Sequence, residues 1–125
     1  MAFYTFMGCK LSSGIDCVLD LVNFNHELED ADLVITGEGR VDAQSLMGKA
    51  LSGIARRVLA VKKPMLVIGG RVADIEMLNR SGIKNPLEVT PRDMSDDEAM
   101  RPDVAMQNIY DAVYKWAKVK ASSTK

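Results

Sequence analysis

Aromatic residues make up only 6% of the 125 positions, too few for the stacking platforms that bind single-stranded nucleic acid. Neither sign of charge dominates: 16 Lys and Arg stand against 17 Asp and Glu, so nothing electrostatic points to nucleic acid or an anionic membrane. No apolar run approaches the ~20 residues of a membrane span. Histidine is represented by His26 alone, and without a second histidine or a nearby thiol neither a metal cluster nor a triad can be built on it. Cys9 and Cys17 lie too far apart for a Cys-x-x-Cys redox pair. The opening residues, Met-Ala-Phe-Tyr-Thr-Phe-Met, lack a basic region and a cleavage site. No signal peptide is expected, cytoplasm is the expected location, and both thiols are expected free, with Cys17 a small buried hydrophobe.

What is present suits a single domain. An apolar fraction of 47% and a charged fraction of 26% are ordinary for globular chains, and the length allows one core of modest size. The pattern predicts an α/β fold: a mostly parallel sheet with flanking helices built from βαβ units, a Rossmann-like or flavodoxin-like fragment. Ser13-Gly-Ile-Asp16 offers a helix cap, and Ile15, Val18, Leu19 and Val22 follow at one-face spacing. Asn25 is placed to cap a second short helix. Leu33 to Ile35 reads as a buried strand, and a helix is expected from Ser45 to Val61, with Arg56, Arg57, Lys62 and Lys63 on its outer side and end. Pro64 stops it, and Met65 to Ile68 is the next strand, closed by a turn at Gly69-Gly70. A short helix over 73–80 and a weak strand over 87–90 follow. Ser95-Asp-Asp-Glu98 is a capping box, so the acidic run from Asp93 reads as a cap rather than a Ca²⁺ loop. Pro102 either kinks the last helix or begins it, and Ala105, Ile109, Ala112, Val113 and Trp116 form its stripe. Residues 121–125 read as a disordered tail. Residues 1–11, apolar with almost no charge, read as frayed or as an interface segment through which the chain pairs with a second copy or with a covering region.

Chemistry concentrates in one stretch, Asp32-Leu-Val-Ile-Thr-Gly-Glu-Gly-Arg-Val-Asp-Ala-Gln-Ser45, with Gly48-Lys49 behind it. Glu38, Arg40, Asp42 and Gln44 occupy alternate positions after the strand, in a segment that also carries Gly37 and Gly39. A loop serving only to reverse the chain needs no such set, and ligands bind outside the carboxyl ends of strands in open α/β sheets. The dinucleotide fingerprint G-x-G-x-x-G is nearly met, but its third glycine is Asp42. Gly48-Lys49 fails as a P-loop, because Ala43 stands where the first glycine belongs and Ala50 where the Ser or Thr belongs.

The run from Asp32 to Lys49 resembles the signature of the type I glycerate kinases. The resemblance extends through Pro64-Met-Leu-Val-Ile-Gly-Gly70 and upstream through Gly14-Ile-Asp-Cys-Val-Leu-Asp-Leu-Val22. It implies ATP-dependent phosphorylation of glycerate, with ATP and Mg²⁺ as cofactors. Members of the family run to about three times this length as two α/β domains. The chain therefore resembles the C-terminal portion of such an enzyme, and the acidic Gly-rich phosphate motif of the N-terminal part has no counterpart in it.

The residue types suit phosphoryl transfer, which needs cations, carboxylates for Mg²⁺ and a base for the attacking hydroxyl. Arg40 can grip a carboxylate or phosphate with two prongs, and Lys49 can act as a point charge. Glu38 and Asp42 can each hold Mg²⁺ or accept the substrate proton. Gln44 suits a small polyol acid, and Gly37, Gly39, Gly69 and Gly70 are candidates for backbone contacts to an anion. Glu38, Arg40 and Asp42 are thus the catalytic candidates. The competing structural account has them pairing with one another and capping a helix at Ser45. Two functions follow: part of a glycerate kinase, expected inactive in isolation, or a non-catalytic α/β binding or interaction module that keeps only the fold.

Overall fold

The computed structural model describes residues 14–47 and 50–124, and two parallel strand pairings organise them. β1 (Val34–Val41) pairs with β2 (Met65–Val72) in a register that sets Glu38 beside Gly69 and Arg40 beside Arg71. The short β3 (Leu87–Glu88) pairs with the other side of β2, giving the order β1-β2-β3. Val89 and Thr90 prolong that contact by donating N–H bonds to the carbonyls of Gly69 and Gly70. The architecture is α/β with a parallel sheet, as the alternation of apolar runs and helical periods predicts.

Both long strands run further than their apolar residues. The sequence predicts that they end at Ile35 and Ile68, but each continues across its glycines for several residues. The segment 37–41 is therefore strand, not loop, and Gly69-Gly70 is not a turn. The reason is close approach. A Cβ on Gly70 would lie 2.6 Å from the carbonyl oxygen of Gly39 on the neighbouring strand. Glycine here lets two backbones meet where any side chain would hold them apart.

The helices are α1 (Gly14–Leu21), α2 (Phe24–Asp30), α3 (Ala50–Ala60), α4 (Ile75–Arg80), α5 (Asp96–Ala99) and α6 (Pro102–Ser123). The core joins β1, α3, β2 and α4 through Val41, Leu51, Ala55, Val67 and Leu78, with Ile83 after α4. α3 begins later than Ser45 because Asp42 first caps a 3₁₀ turn, Ala43–Leu46. Its flank against α1 is not an outer face. Arg57 is mostly covered and pairs with Asp20 at 2.8 Å and Asp16 at 3.2 Å, which, Asp20 foremost, raise its pKa against the opposing effect of burial. A Cβ on Gly53 would meet Ile15 at 2.6 Å, so α1 lies close upon α3 at that point. Of the predicted α1 face only Leu19 is buried, while Val18 and Val22 remain exposed.

At α2 the N-cap position belongs to Asn23, in a left-handed conformation, and not to Asn25. Ser95 caps α5 by accepting from the Glu98 N–H, and Pro102 opens a separate helix rather than kinking a continuous one. α6 then continues to Ser123, past Ala121 where a disordered tail is predicted. Cys17 is half-buried rather than a core residue. The interface segment 1–11, the Ser13 cap, Cys9 and the Gly48-Lys49 pair lie outside the described residues.

Candidate functional site

A cleft of about 600 Å³ opens at the carboxyl half of β1 and β2. Its floor is Gly37 to Arg40 with Ile68, Gly70 and Arg71, and its far wall comes from Val89, Thr90, Asp96 and the first half of α6. Four of the predicted site residues meet at β1: Gly37, Glu38, Gly39 and Arg40 all line it, and Gly70 faces them from β2. The extension of β1 is what brings them there, since the strand carries Glu38 and Arg40 at fixed spacing instead of leaving them on a mobile loop.

Glu38 is oriented from below. Ser45, 2% exposed, sits 3.1 Å from its Oε2 as hydroxyl donor, with the Arg40 carbonyl as an alternative acceptor at 3.4 Å. The same hydroxyl accepts from the Asp42 N–H at 3.2 Å. Oε1 of Glu38 has no partner among the described residues. Arg40 donates through Nε to Asp42 Oδ2 at 2.9 Å, while its two terminal nitrogens have no partner among the described residues. Asp42 accepts again from the Gln44 N–H at 2.9 Å. The Arg40 guanidinium, helped by the Gln44 and Ser45 backbone, holds the Asp42 carboxyl below its ordinary value against a smaller opposing effect of burial.

The pairing foreseen by the structural account holds for Arg40 and Asp42 but not for Glu38, which bonds Ser45 instead, and one oxygen of Glu38 and the terminal nitrogens of Arg40 stay open. Asp42 and Gln44 do not line the cleft: Asp42 holds Arg40 and caps the 3₁₀ turn, and Gln44 is exposed beside it. Gly69 is buried in the sheet, its would-be Cβ crowded by Val41, Arg71 and Val72. With both glycines extended in β2, the anion cradle expected of a Gly69-Gly70 turn is absent from the described residues.

Sequence reasoning missed four polar residues of the cleft. Arg71 reaches across its mouth and ties down the chain after β3, donating to Asp96 Oδ1 at 2.9 Å and to the Pro91 and Met94 carbonyls. Its position after Gly69-Gly70 was the available signal. Asp96, Thr90 and Asn108 gave none, because their approach depends on how α5 and α6 fold back. Asp74 also supports the site from outside: its carboxylate accepts from the Ala43 N–H at 3.0 Å, fixing the turn after β1.

No three His, Cys, Asp or Glu side chains converge on a common point among the described residues. Asp42 is already committed to Arg40 and to backbone N–H groups, so the donor set does not fit the Mg²⁺ pair Glu38 and Asp42. Mg²⁺ carried on phosphate oxygens needs only one or two protein carboxylates, and the open oxygen of Glu38 fits that more modest role.

The profile of the Glycerate kinase family matches residues 1–120. The chain is 40% identical over 101 residues to a glycerate kinase of Bacillus cereus and 39% identical over 97 residues to one of Halalkalibacterium halodurans. It is 37% identical over 101 residues to the glycerate 2-kinase of Escherichia coli. These alignments take in 77 to 80% of the chain but only 26% of each relative, so the chain spans about a quarter of the length of the curated relatives it matches. No described helix is long and apolar enough to cross a membrane. With the family profile matched along almost all of its length, the chain belongs to the glycerate kinase family.

Proposed function

We propose that this chain supplies the acceptor side of an ATP-dependent phosphoryl-transfer site that acts on a hydroxyl of glycerate. The observation that carries the reading is the placement of Glu38 and Arg40 on one strand, both lining one cleft, each held by a neighbour and each with an open end. The free terminal nitrogens of Arg40 match the two oxygens of a carboxylate. Glu38, anchored by Ser45, accepts the proton of the attacking hydroxyl or meets the Mg²⁺ that accompanies ATP. ATP with Mg²⁺, when bound, supplies the phosphoryl group and neutralises charge that develops on it. Gly37 and Gly39 keep the wall beside these groups free of side chains. Asp42 fixes the orientation of Arg40, Gln44 extends the polar rim, and Lys49 adds a further cation from outside the described residues.

The rest of the catalytic constellation lies on the part of the relatives that the chain does not span, so the chain alone binds without turning over. A coupled ADP-release assay should show no glycerate-dependent turnover. A rate in the ordinary kinase range of ~1–100 s⁻¹ would mean that the site is complete in these residues. Binding is the direct test. In a titration of the ¹⁵N-labelled chain followed by NMR, glycerate should shift signals of 37–40, and Arg40→Lys should weaken it roughly tenfold or more, because a planar fork is exchanged for a point charge. Glycerate that does not bind, or binds both forms equally, removes Arg40 from a substrate site. That outcome would favour the second reading, a binding or interaction module that keeps only the fold, which the limited span of the chain supports.

A further inference from the structure

We infer that Thr90 and Asn108 form the hydroxyl-recognising end of the cleft and determine its specificity for a hydroxylated acid over the plain acid. The inference rests on the reading that the cleft takes glycerate. Thr90 is 7% and Asn108 9% exposed, so both are polar residues withdrawn almost entirely from bulk solvent. Both line the cleft that holds Glu38 and Arg40, and both also border a second hollow of about 520 Å³ between β3 and α6. They stand between the two hollows.

Their polar atoms are underused. The backbone of Thr90 is engaged with Gly70, but its hydroxyl has no partner among the described residues. Asn108 donates from Nδ2 to the Met94 sulfur at 3.3 Å, a weak acceptor, and its carboxamide oxygen has no partner among the described residues. Yet among those residues no side-chain nitrogen or oxygen is both sealed from solvent and without a hydrogen bond. The free Thr90 and Asn108 atoms therefore reach open space, and the open space they border is the cleft and the hollow beside it. A nearly buried polar group without a partner costs stability, and a ligand that satisfies it recovers that loss on binding.

The chemistry of the pair selects the ligand group. A hydroxyl and a carboxamide are neutral and offer both donors and acceptors, the complement of an alcohol. They are a poor complement for phosphate or carboxylate, which call for cations or charge-assisted donors. Arg40, with its free fork, supplies that in the same cleft. A small acid with its carboxylate on Arg40 and a hydroxyl between Thr90 and Asn108 leaves Glu38 for the proton. A site that hydrogen-bonds a substrate hydroxyl rejects an analogue lacking it strongly, since its own polar groups then stay unpaired.

The test uses the side-chain amide of Asn108 as its own reporter. The ¹⁵N-labelled chain is titrated with glycerate, propionate and adenosine, and the glycerate titration is repeated for Thr90→Val and Asn108→Leu. The expected result is that glycerate, but not propionate or adenosine, moves the Asn108 carboxamide signals, and that each variant weakens glycerate roughly tenfold or more. If a variant does not fold, the wild-type carboxamide signals decide alone. Glycerate binding that responds to Arg40→Lys but leaves the Asn108 signals and both variants unaffected would overturn this inference and leave the proposed function standing. No glycerate binding at millimolar concentration would overturn both. Adenosine moving the Asn108 signals while glycerate does not would assign the pair to a nucleoside and overturn the inference.

Discussion

α3 and α6 carry apolar stripes of the same period, yet one is core and the other is a wall. α3 places Leu51 and Val58 at 0% exposure with Ala55 between them, against Val41, Val67 and Leu78. α6 is twice as long and its one buried residue is Asn108, a polar residue, while Met106, Ile109, Tyr110 and Val119 stay exposed. The difference lies in what each helix meets. α3 packs on β1 and shares one core cluster with Val67 of β2, whereas α6 runs beside the two-residue strand β3, which offers too little surface to close upon. Two hollows remain beside it, and the candidate cleft is one of them. The close-packed half holds the core, and the loosely covered half holds the candidate cleft.

The sharpest way to break this comparison is to truncate one residue in each stripe. Leu51→Ala should cost about 2–5 kcal/mol of stability by chemical denaturation, because it leaves a cavity in the closed half. Ile109→Ala, 44% exposed and on the cleft wall, should cost under about 1 kcal/mol. Equal costs would mean that α6 is as much a core element as α3.

A smaller effect probes the contact that extends the strands. Gly70→Ala places a Cβ against the Gly39 carbonyl and should destabilise by roughly 1–3 kcal/mol. It should also move the amide signals of 37–40, since relief requires β1 and β2 to part at the cleft floor. A neutral substitution with unchanged signals would show that the strands are not held so tightly there.

The least effect belongs to the exposed rim. Asp42 titrates below its ordinary value of 3.8 in the folded chain because Arg40 favours its charged form. Its contribution is therefore complete above the ordinary carboxylate range and lost as pH falls through the lowered value. Arg40 is largely exposed, so the difference between wild type and Asp42→Asn should be small and screened by salt. That difference, followed by thermal melting, should be constant from about pH 6 upward and shrink below about pH 4. A difference that grows on acidification would mean that Asp42 is not held charged by Arg40.

Much of this was legible from residues 32–49. The apolar run at Leu33, the glycines and the alternating Glu38 and Arg40 pointed to the candidate cleft, because a strand's carboxyl end and its side-chain alternation follow from local sequence. Their side-chain chemistry was legible in type but not in partner. Glu38 and Asp42 read alike, and only the fold gave one the cleft and the other to Arg40. Gln44 looked equivalent to Glu38 by spacing, but the 3₁₀ turn carried it away from the cleft.

The sequence by itself determined the parallel α/β order and the family, and it pointed to the strand that floors the candidate cleft, since hydrophobic period and motif are properties of short stretches of chain. Only the tertiary structure decided that the glycine segments are strand, through the approach of Gly39 to Gly70 across 31 residues of sequence. It alone brought Arg71, Thr90, Asp96 and Asn108 to the same cleft. Each of those contacts joins positions far apart in the chain, and no local preference encodes which distant backbone or side chain will arrive.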